Sequence, residues 1–438
     1  MQLTIVQKIL LCLVLLLMLS SHGESLSKDS HESMAILLDG ARLEIRDGVT
    51  LLYVNGSYYE MGYQHGFLLR DQVHANMRAF LNYIDEISSY DTMIELWNAT
   101  APHVPTCYIE EMQGIADGAG IPFETVAACY MTILYMDMQC FTYAAWSNAT
   151  RDGKLYHVRS LDFPLRIDDP VTGTYIQEHS MLIVRNPHNG YKSLLPSIAG
   201  GINFYQGINE KQISIGVEVC WSSDQTLEGI PVKFKMQTVL DTAETIEEAI
   251  HILTTNNTLG WNFIVSDAKT SIAYAIEITA HRSYVGSWDD PVENTSPFWE
   301  IENVVRRTNF FIDPELASTQ RDSYDTSGIH GLIRGLVKGE PFFSLWRKYK
   351  AMSEEIEKNW GSIDLDSGVS LMRKVYTGET DIFMFFLVHC NKQSILCDFQ
   401  QWGVCPETGD FIISFADAER FSHETNLHSF NIYDLFEN

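Results

Sequence analysis

The chain has 438 residues, 45% hydrophobic, 12% aromatic and 20% charged, so there is ample apolar material for a core and wholesale disorder is excluded. Its 30 Lys and Arg stand against 57 Asp and Glu, a net charge of −27. Such an acidic chain is a poor match for phosphate backbones or anionic lipid surfaces, which argues against nucleic-acid binding.

The N-terminus carries Lys8 and then an unbroken apolar run from Ile9 to Leu19. That run falls short of the roughly 20 residues a membrane-spanning helix needs, and it suits the core of a signal peptide. Residues 1–23 are therefore expected to be removed near Gly23, an uncleaved anchor being the other reading; no later run approaches membrane length. Five Asn-X-Ser/Thr sites, at Asn55, Asn98, Asn148, Asn256 and Asn294, fit a glycoprotein of the secretory route, secreted or lysosomal. The 8 cysteines look even, but Cys12 leaves with the signal. Cys107, Cys129, Cys140, Cys220, Cys390, Cys397 and Cys405 remain, so up to three disulfides leave at least one thiol over.

Taken in chain order, residues 41–46 and 50–54 flank an Asp47-Gly48 turn and read as a hairpin. A helical pattern follows from Tyr58 to Ile87, with Gly62 and Gly66 on one face, a spacing that permits close packing. Helical periodicity returns over 109–119 and, after Pro122, to Met136. The segment 24–139 is thus mainly helical. At Cys140 the pattern changes to strands: 141–146, an Asp152-Gly153 turn and 155–161 form a hairpin. Further strands are expected at 180–185, 192–198, 212–219, 261–266, 272–278 and 381–388, with helices over 233–241 and 245–254. Helices and strands in blocks imply α+β layering.

Several catalytic signatures are absent. There is no G-x-S-x-G elbow, no H-E-x-x-H and no Gly-rich phosphate loop, and Cys390, Cys397 and Cys405 are too widely spaced for a compact zinc knuckle. No metal and no cofactor is expected. The informative stretch begins Gln139-Cys140-Phe141-Thr142 and returns through Asp152-Gly153 to Arg159-Ser160-Leu161-Asp162. It puts a Cys at the head of a strand and R-x-x-D on the strand that pairs back to it. Cys129 is the rival thiol, but it lies inside a predicted helix with no adjacent R-x-x-D.

This pattern resembles the N-terminal-nucleophile hydrolases with a Cys nucleophile, in particular the isopenicillin N acyltransferase branch. Bile-salt hydrolases and acid ceramidase are more distant kin. Gly207-Ile208-Asn209-Glu210 is similar to the family's G-x-N-E segment, with Gln212 where a Gly is usual. Val305-Arg306-Arg307-Thr308-Asn309 is similar to its V-x-x-T-N motif, with Phe310 in place of His. Ser318-Thr319-Gln320-Arg321 resembles the S-x-x-R that follows. Ser160 and Phe141 also depart from the usual residues.

The resemblance implies a four-layer αββα sandwich with a helical pro-segment (24–139) kept as a separate chain after cleavage between Gln139 and Cys140. The catalytic chain would be 140–438. It implies Cys140 as nucleophile, Arg159 favouring the thiolate, Asp162 holding the new α-amine, and Asn309 with a backbone N–H near Val219 binding the oxyanion. Arg321 would buttress the site, with Arg307 as its rival; Asn262 is a further polar candidate. The α-amine, with an ordinary pKa of about 7.7–8.0, can serve as the base for the thiol. The implied substrate is the acyl group of a small linear amide. Two other readings are a glycosylated binding or storage protein in which Cys140 is structural, and a phospholipase B-like ester hydrolase of the same fold.

Overall fold

The period-two patterns become two sheets packed face to face in a computed structural model that describes residues 36–136, 138–321, 342–377 and 396–437. The expected signal segment, Cys390 and the predicted strand at 381–388 lie outside the described residues. The first sheet holds β1 (Arg42–Arg46), β2 (Val49–Gly56), β5 (Ser180–Pro187), β6 (Ser193–Ile198), β7 (Gln206–Asn209), β8 (Ile213–Val219), β9 (Trp261–Asp267), β10 (Ile272–Ile278) and β11 (Ser283–Gly286), in that spatial order. Only β2 and β5 pair in parallel. The second sheet runs in the order β12 (Val304–Arg307), β3 (Gln139–Ser147), β4 (Gly153–Pro164), β13 (Leu396–Cys405), β14 (Asp410–Phe415) and β15 (His428–Asn431), all antiparallel.

Strand β3 packs across onto β8, β9 and β10, so the two sheets share a buried interface. The long helical pattern from residue 58 divides at Leu69 into α1 (Tyr58–Leu68) and α2 (Arg70–Ile87), followed by α3 (Tyr90–Thr100), α4 (Thr106–Ala119) and α5 (Phe123–Met131). Ser57 opens α1 with a capping box to Glu60, the arrangement that satisfies two end N–H groups at once. Helix α1 lies on β2 and β5, α6 (Val232–Thr242) on β7 and β8, and α7 (Ile246–Thr254) on β9 and β10. The other outer face is covered by α8 (Phe342–Lys358) and α9 (Leu365–Thr377), which reach β3, β4, β13 and β14. This is the expected αββα sandwich. The described residues from 42 to 437 form one compact unit, so the Gln139–Cys140 bond lies inside a shared core.

The close approach expected from Gly62 and Gly66 is met by Gly114 and Gly118 of α4. A methyl group on Gly62 would sit 2.0 Å from the Glu111 carbonyl oxygen, and one on Gly114 would sit 2.2 Å from that of Tyr59. Because the obstacles are backbone atoms, Gly114→Ala is expected to separate the helices and destabilise the chain by about 1–3 kcal/mol. A thermal melt matching wild type would refute this.

Two histidines are buried as neutral rings. His65 Nε2 accepts from the Gly200 N–H at 2.9 Å, and His157 Nδ1 lies 2.9 Å from Ser266 Oγ. Burial depresses both to about 3 from the ordinary 6.5. As pH falls below 6.5 the unfolded chain takes up these protons and the folded chain does not, so the stability they contribute is lost progressively toward pH 3. His65→Gln, which keeps an acceptor for Gly200, is expected to lose fewer degrees of Tm than wild type on acidification from neutral pH. Equal losses in paired melts would count against it.

Candidate active site

The β3–β4 hairpin sets the site by register. Cys140 pairs with Leu161 and Thr142 with Arg159, while Gln139 pairs with Asp162. Opposite residues share a face and neighbours alternate, so Cys140 and Arg159 face the first sheet. Gln139 and Asp162 face the helical layer. Arg159 Nη2 donates to Cys140 Sγ at 3.1 Å and to the Val217 carbonyl at 2.6 Å; Nη1 donates to Gln206 Oε1 at 3.2 Å. Glu218 lies 3.8 Å from Arg159 Nε and accepts the Thr142 hydroxyl. Burial drives the Cys140 thiol up to about 12 against the pull of Arg159, and lifts Glu218 to about 7.

Strand β12 pairs with β3 so that Arg307 opposes Thr142. Two residues on, Asn309 reaches Cys140: its Oδ1 accepts the Cys140 N–H at 2.6 Å, and its Nδ2 donates to the Val219 carbonyl at 2.9 Å. Val219 thus meets Asn309 through its C=O. Asn262 holds this turn in place, donating to the carbonyls of Thr308 and Phe310 at 2.9 and 2.8 Å.

On the helical side, Asp162 accepts from Lys348 of α8 and from the Tyr376 hydroxyl of α9, and Lys348 Nζ also donates to Gln139 Oε1 at 2.9 Å. All four side chains are buried. Asp162 is therefore neutralised by a lysine that no motif announced, and its contacts lie on the opposite strand face from the thiol.

Arg321 does not join this cluster. It is exposed, lies over the Trp221 ring at 5.2 Å and donates to Gln225 Oε1 at 3.0 Å. Its rival Arg307 is buried between Glu277 and Glu293, with Nε at 2.8 Å from Glu277 Oε1, and Glu277 in turn accepts the Ile312 and Asp313 N–H groups. That ion cluster fixes the backbone just beyond Asn309. Cys129 is buried in α5 with its thiol pushed up by desolvation and, among the described residues, no cation beside it.

The described cysteines other than Cys140, namely Cys107, Cys129, Cys220, Cys397 and Cys405, are free as well. The expected disulfides therefore do not form among the described residues. Cys397 and Cys405 lie on one extended strand, at about 3.3 Å per residue too far apart to bridge. Cys397, Asp398 and His423 do gather closely, but Asp398 is occupied: it accepts from His423 N and lies 2.7 Å from His423 Nδ1 and 3.2 Å from Cys397 Sγ. Of the five Asn-X-Ser/Thr sequons, Asn98, Asn148, Asn256 and Asn294 are exposed, whereas Asn55 is partly buried in β2.

Residues 162–328 match the family described as acyl-coenzyme A:6-aminopenicillanic acid acyl-transferase. The resemblance read from the motifs is borne out. The matched segment begins at Asp162 and takes in Val219, Asn309 and Arg321, with Cys140 and Arg159 just upstream. Protein dcd1B of Dictyostelium discoideum is 25% identical over 332 residues, covering 67% of this chain and 64% of its own length; the chain thus spans less than two thirds of that relative. Among solved structures, a Caenorhabditis elegans N-acylethanolamine-hydrolyzing acid amidase ortholog aligns at TM-score 0.39 and 13% identity, over 67% of this chain and 99% of its own. A conjugated bile acid hydrolase from Clostridium perfringens aligns at TM-score 0.37 and 15% identity, over 67% and 93%.

Proposed function

We propose that this chain is a cysteine amide hydrolase or acyltransferase of the secretory route that activates itself by cutting between Gln139 and Cys140. The observation that carries the reading is the convergence on one residue of Arg159 at the thiol and Asn309 at the backbone nitrogen. In the uncut chain Cys140 Sγ attacks the Gln139 carbonyl carbon. The C–N bond breaks, the thiol proton passes to the Cys140 nitrogen, and a thioester forms. Water then releases the Gln139 carboxylate, leaving a free thiol and a new α-amine.

That amine takes the thiol proton in each later turnover. The sulfur attacks the substrate amide carbonyl, the second N–H of Asn309 Nδ2 donates to the oxyanion, and the ammonium returns its proton to the departing amine. Water or an acceptor amine resolves the resulting thioester. A cavity of about 700 Å³ lined by Leu96, Leu134, Met136, Trp221 and Leu259 adjoins the segment entering Cys140, which supports an apolar acyl portion.

The test is N-terminal sequencing of the secreted protein after incubation at acidic pH. A fragment beginning Cys140-Phe141-Thr142, abolished by Cys140→Ala, supports the reading. A wild-type chain that stays intact refutes it. Treatment with an N-glycosidase, expected to lower the apparent mass, checks the proposed secretory route.

A further inference from the structure

Lysines 233 and 235 stand two apart on α6 and are treated in opposite ways. Lys235 Nζ donates to the Ile252 carbonyl at 2.9 Å and to the Thr255 carbonyl, closing the end of α7. Lys233 Nζ has no acceptor oxygen among the described residues. It lies instead over three rings, at 5.1 Å from Tyr130, 5.5 Å from Phe204 and 4.9 Å from Tyr205.

An ammonium over aromatic faces gains attraction from their quadrupoles, and Lys233 is half-buried at the slot walls, so its N–H donors stay open to an incoming acceptor. Burial lowers Lys233 to about 8, which still leaves it charged at neutral and acidic pH. Lys233 lines two narrow adjoining slots. One is also lined by Trp261, whose indole N–H is buried without a partner among the described residues. That slot shares Leu134, Leu227 and Leu259 with the large cavity. The other is walled by Tyr205, whose backbone carbonyl accepts the N–H of Val217, the residue whose own carbonyl holds Arg159. Arg321, at the cavity rim, already has Gln225 as its acceptor.

We infer that Lys233, with the Trp261 N–H beside it, is an anion-binding subsite that selects amide substrates carrying a carboxylate on an otherwise apolar body. This rests on the reading of Cys140 as the nucleophile. The same chemistry could come from either end of the substrate, a carboxylate on the amine portion or one at the far end of the acyl chain.

Three probes separate these sources: N-lauroylglycine, the ethanolamine monoamide of dodecanedioic acid, and neutral N-lauroylethanolamine. The wild-type enzyme is expected to favour one of the two anionic amides. Lys233→Met should lower kcat/KM on that amide by about 10- to 100-fold, mostly through KM, and leave the neutral amide within about twofold. Lys233→Arg should restore the preference. Equal effects on all three probes, or a neutral preference that Lys233→Met leaves intact, would overturn the inference.

Binding is read separately by calorimetry on the wild-type chain, using N-dodecylsulfonyl glycine and N-dodecylsulfonyl ethanolamine, which have no cleavable acyl bond. Tighter, Lys233-dependent binding of the glycine compound upholds the subsite even if no amide is hydrolysed, in which case the catalytic reading alone fails. Binding of neither compound, or of both equally, counts against the subsite whether or not hydrolysis occurs. Circular dichroism and a thermal melt of Lys233→Met confirm that the variant compared is folded.

Discussion

Asn309→Ala is expected to lower kcat for amide turnover by about 10²–10³, the loss that follows removal of one oxyanion donor at an acyl-transfer site. The side chain is held at both ends, Oδ1 by the Cys140 N–H and Nδ2 by the Val219 carbonyl, so it is oriented before substrate arrives. Alanine also strands those two buried backbone groups, at about 1–3 kcal/mol each. Loss of activity alone would therefore not separate chemistry from folding. Asn309→Asp makes the separation, because a carboxylate can still accept from Cys140 N but cannot donate to an oxyanion. Both variants should lose kcat with KM little changed. A variant that folds like wild type, scored by thermal melt, and keeps kcat within about fivefold would exclude Asn309 from the transition state.

The Cys140 hairpin was legible because its information is local. A D-G turn and period-two alternation fix the register that brings Arg159 to Cys140. Asn309 was also legible, through a motif that ends two residues after a strand too short to announce itself. The buried row Glu218, Asn262 and Glu277, aligned across β8, β9 and β10, left a readable trace. Each is a polar residue flanked on both sides by apolar ones.

Helices α8 and α9 and strands β13 to β15 went unread, and with them Lys348 and Tyr376. Nothing local marks a lysine in Phe342–Lys358 as the partner of an aspartate 186 residues earlier in the chain. Only the second sheet's strand order and the helices laid over it bring the two together. Arg321 shows the converse. Its motif is present, yet the backbone carries it to the surface, where Trp221 and Gln225 hold it.

Asp162→Asn is expected to be the most damaging single change on the helical side of the hairpin. Asp162 has no solvent exposure and faces an ammonium and a phenol. Its asparagine variant leaves Lys348 buried with only neutral amide oxygens to meet it and no counter-charge. Breaking a buried pair from one side costs about 3–5 kcal/mol, enough to shift the thermal midpoint by several degrees. Lys348→Met should fail for the mirror reason, with the carboxylate left uncompensated. If the pair only held the fold together, the double variant with both changes would recover stability and self-cleavage together, as a coupled pair does when both charges are removed. The geometry argues for a split result. Lys348 also grips Gln139, the residue whose carbonyl the proposed self-cleavage attacks, so the double variant should melt near wild type while its fraction of chains beginning at Cys140 stays low. Full cleavage in that variant, measured by N-terminal sequencing over a time course, would reduce Lys348 and Asp162 to a structural pair.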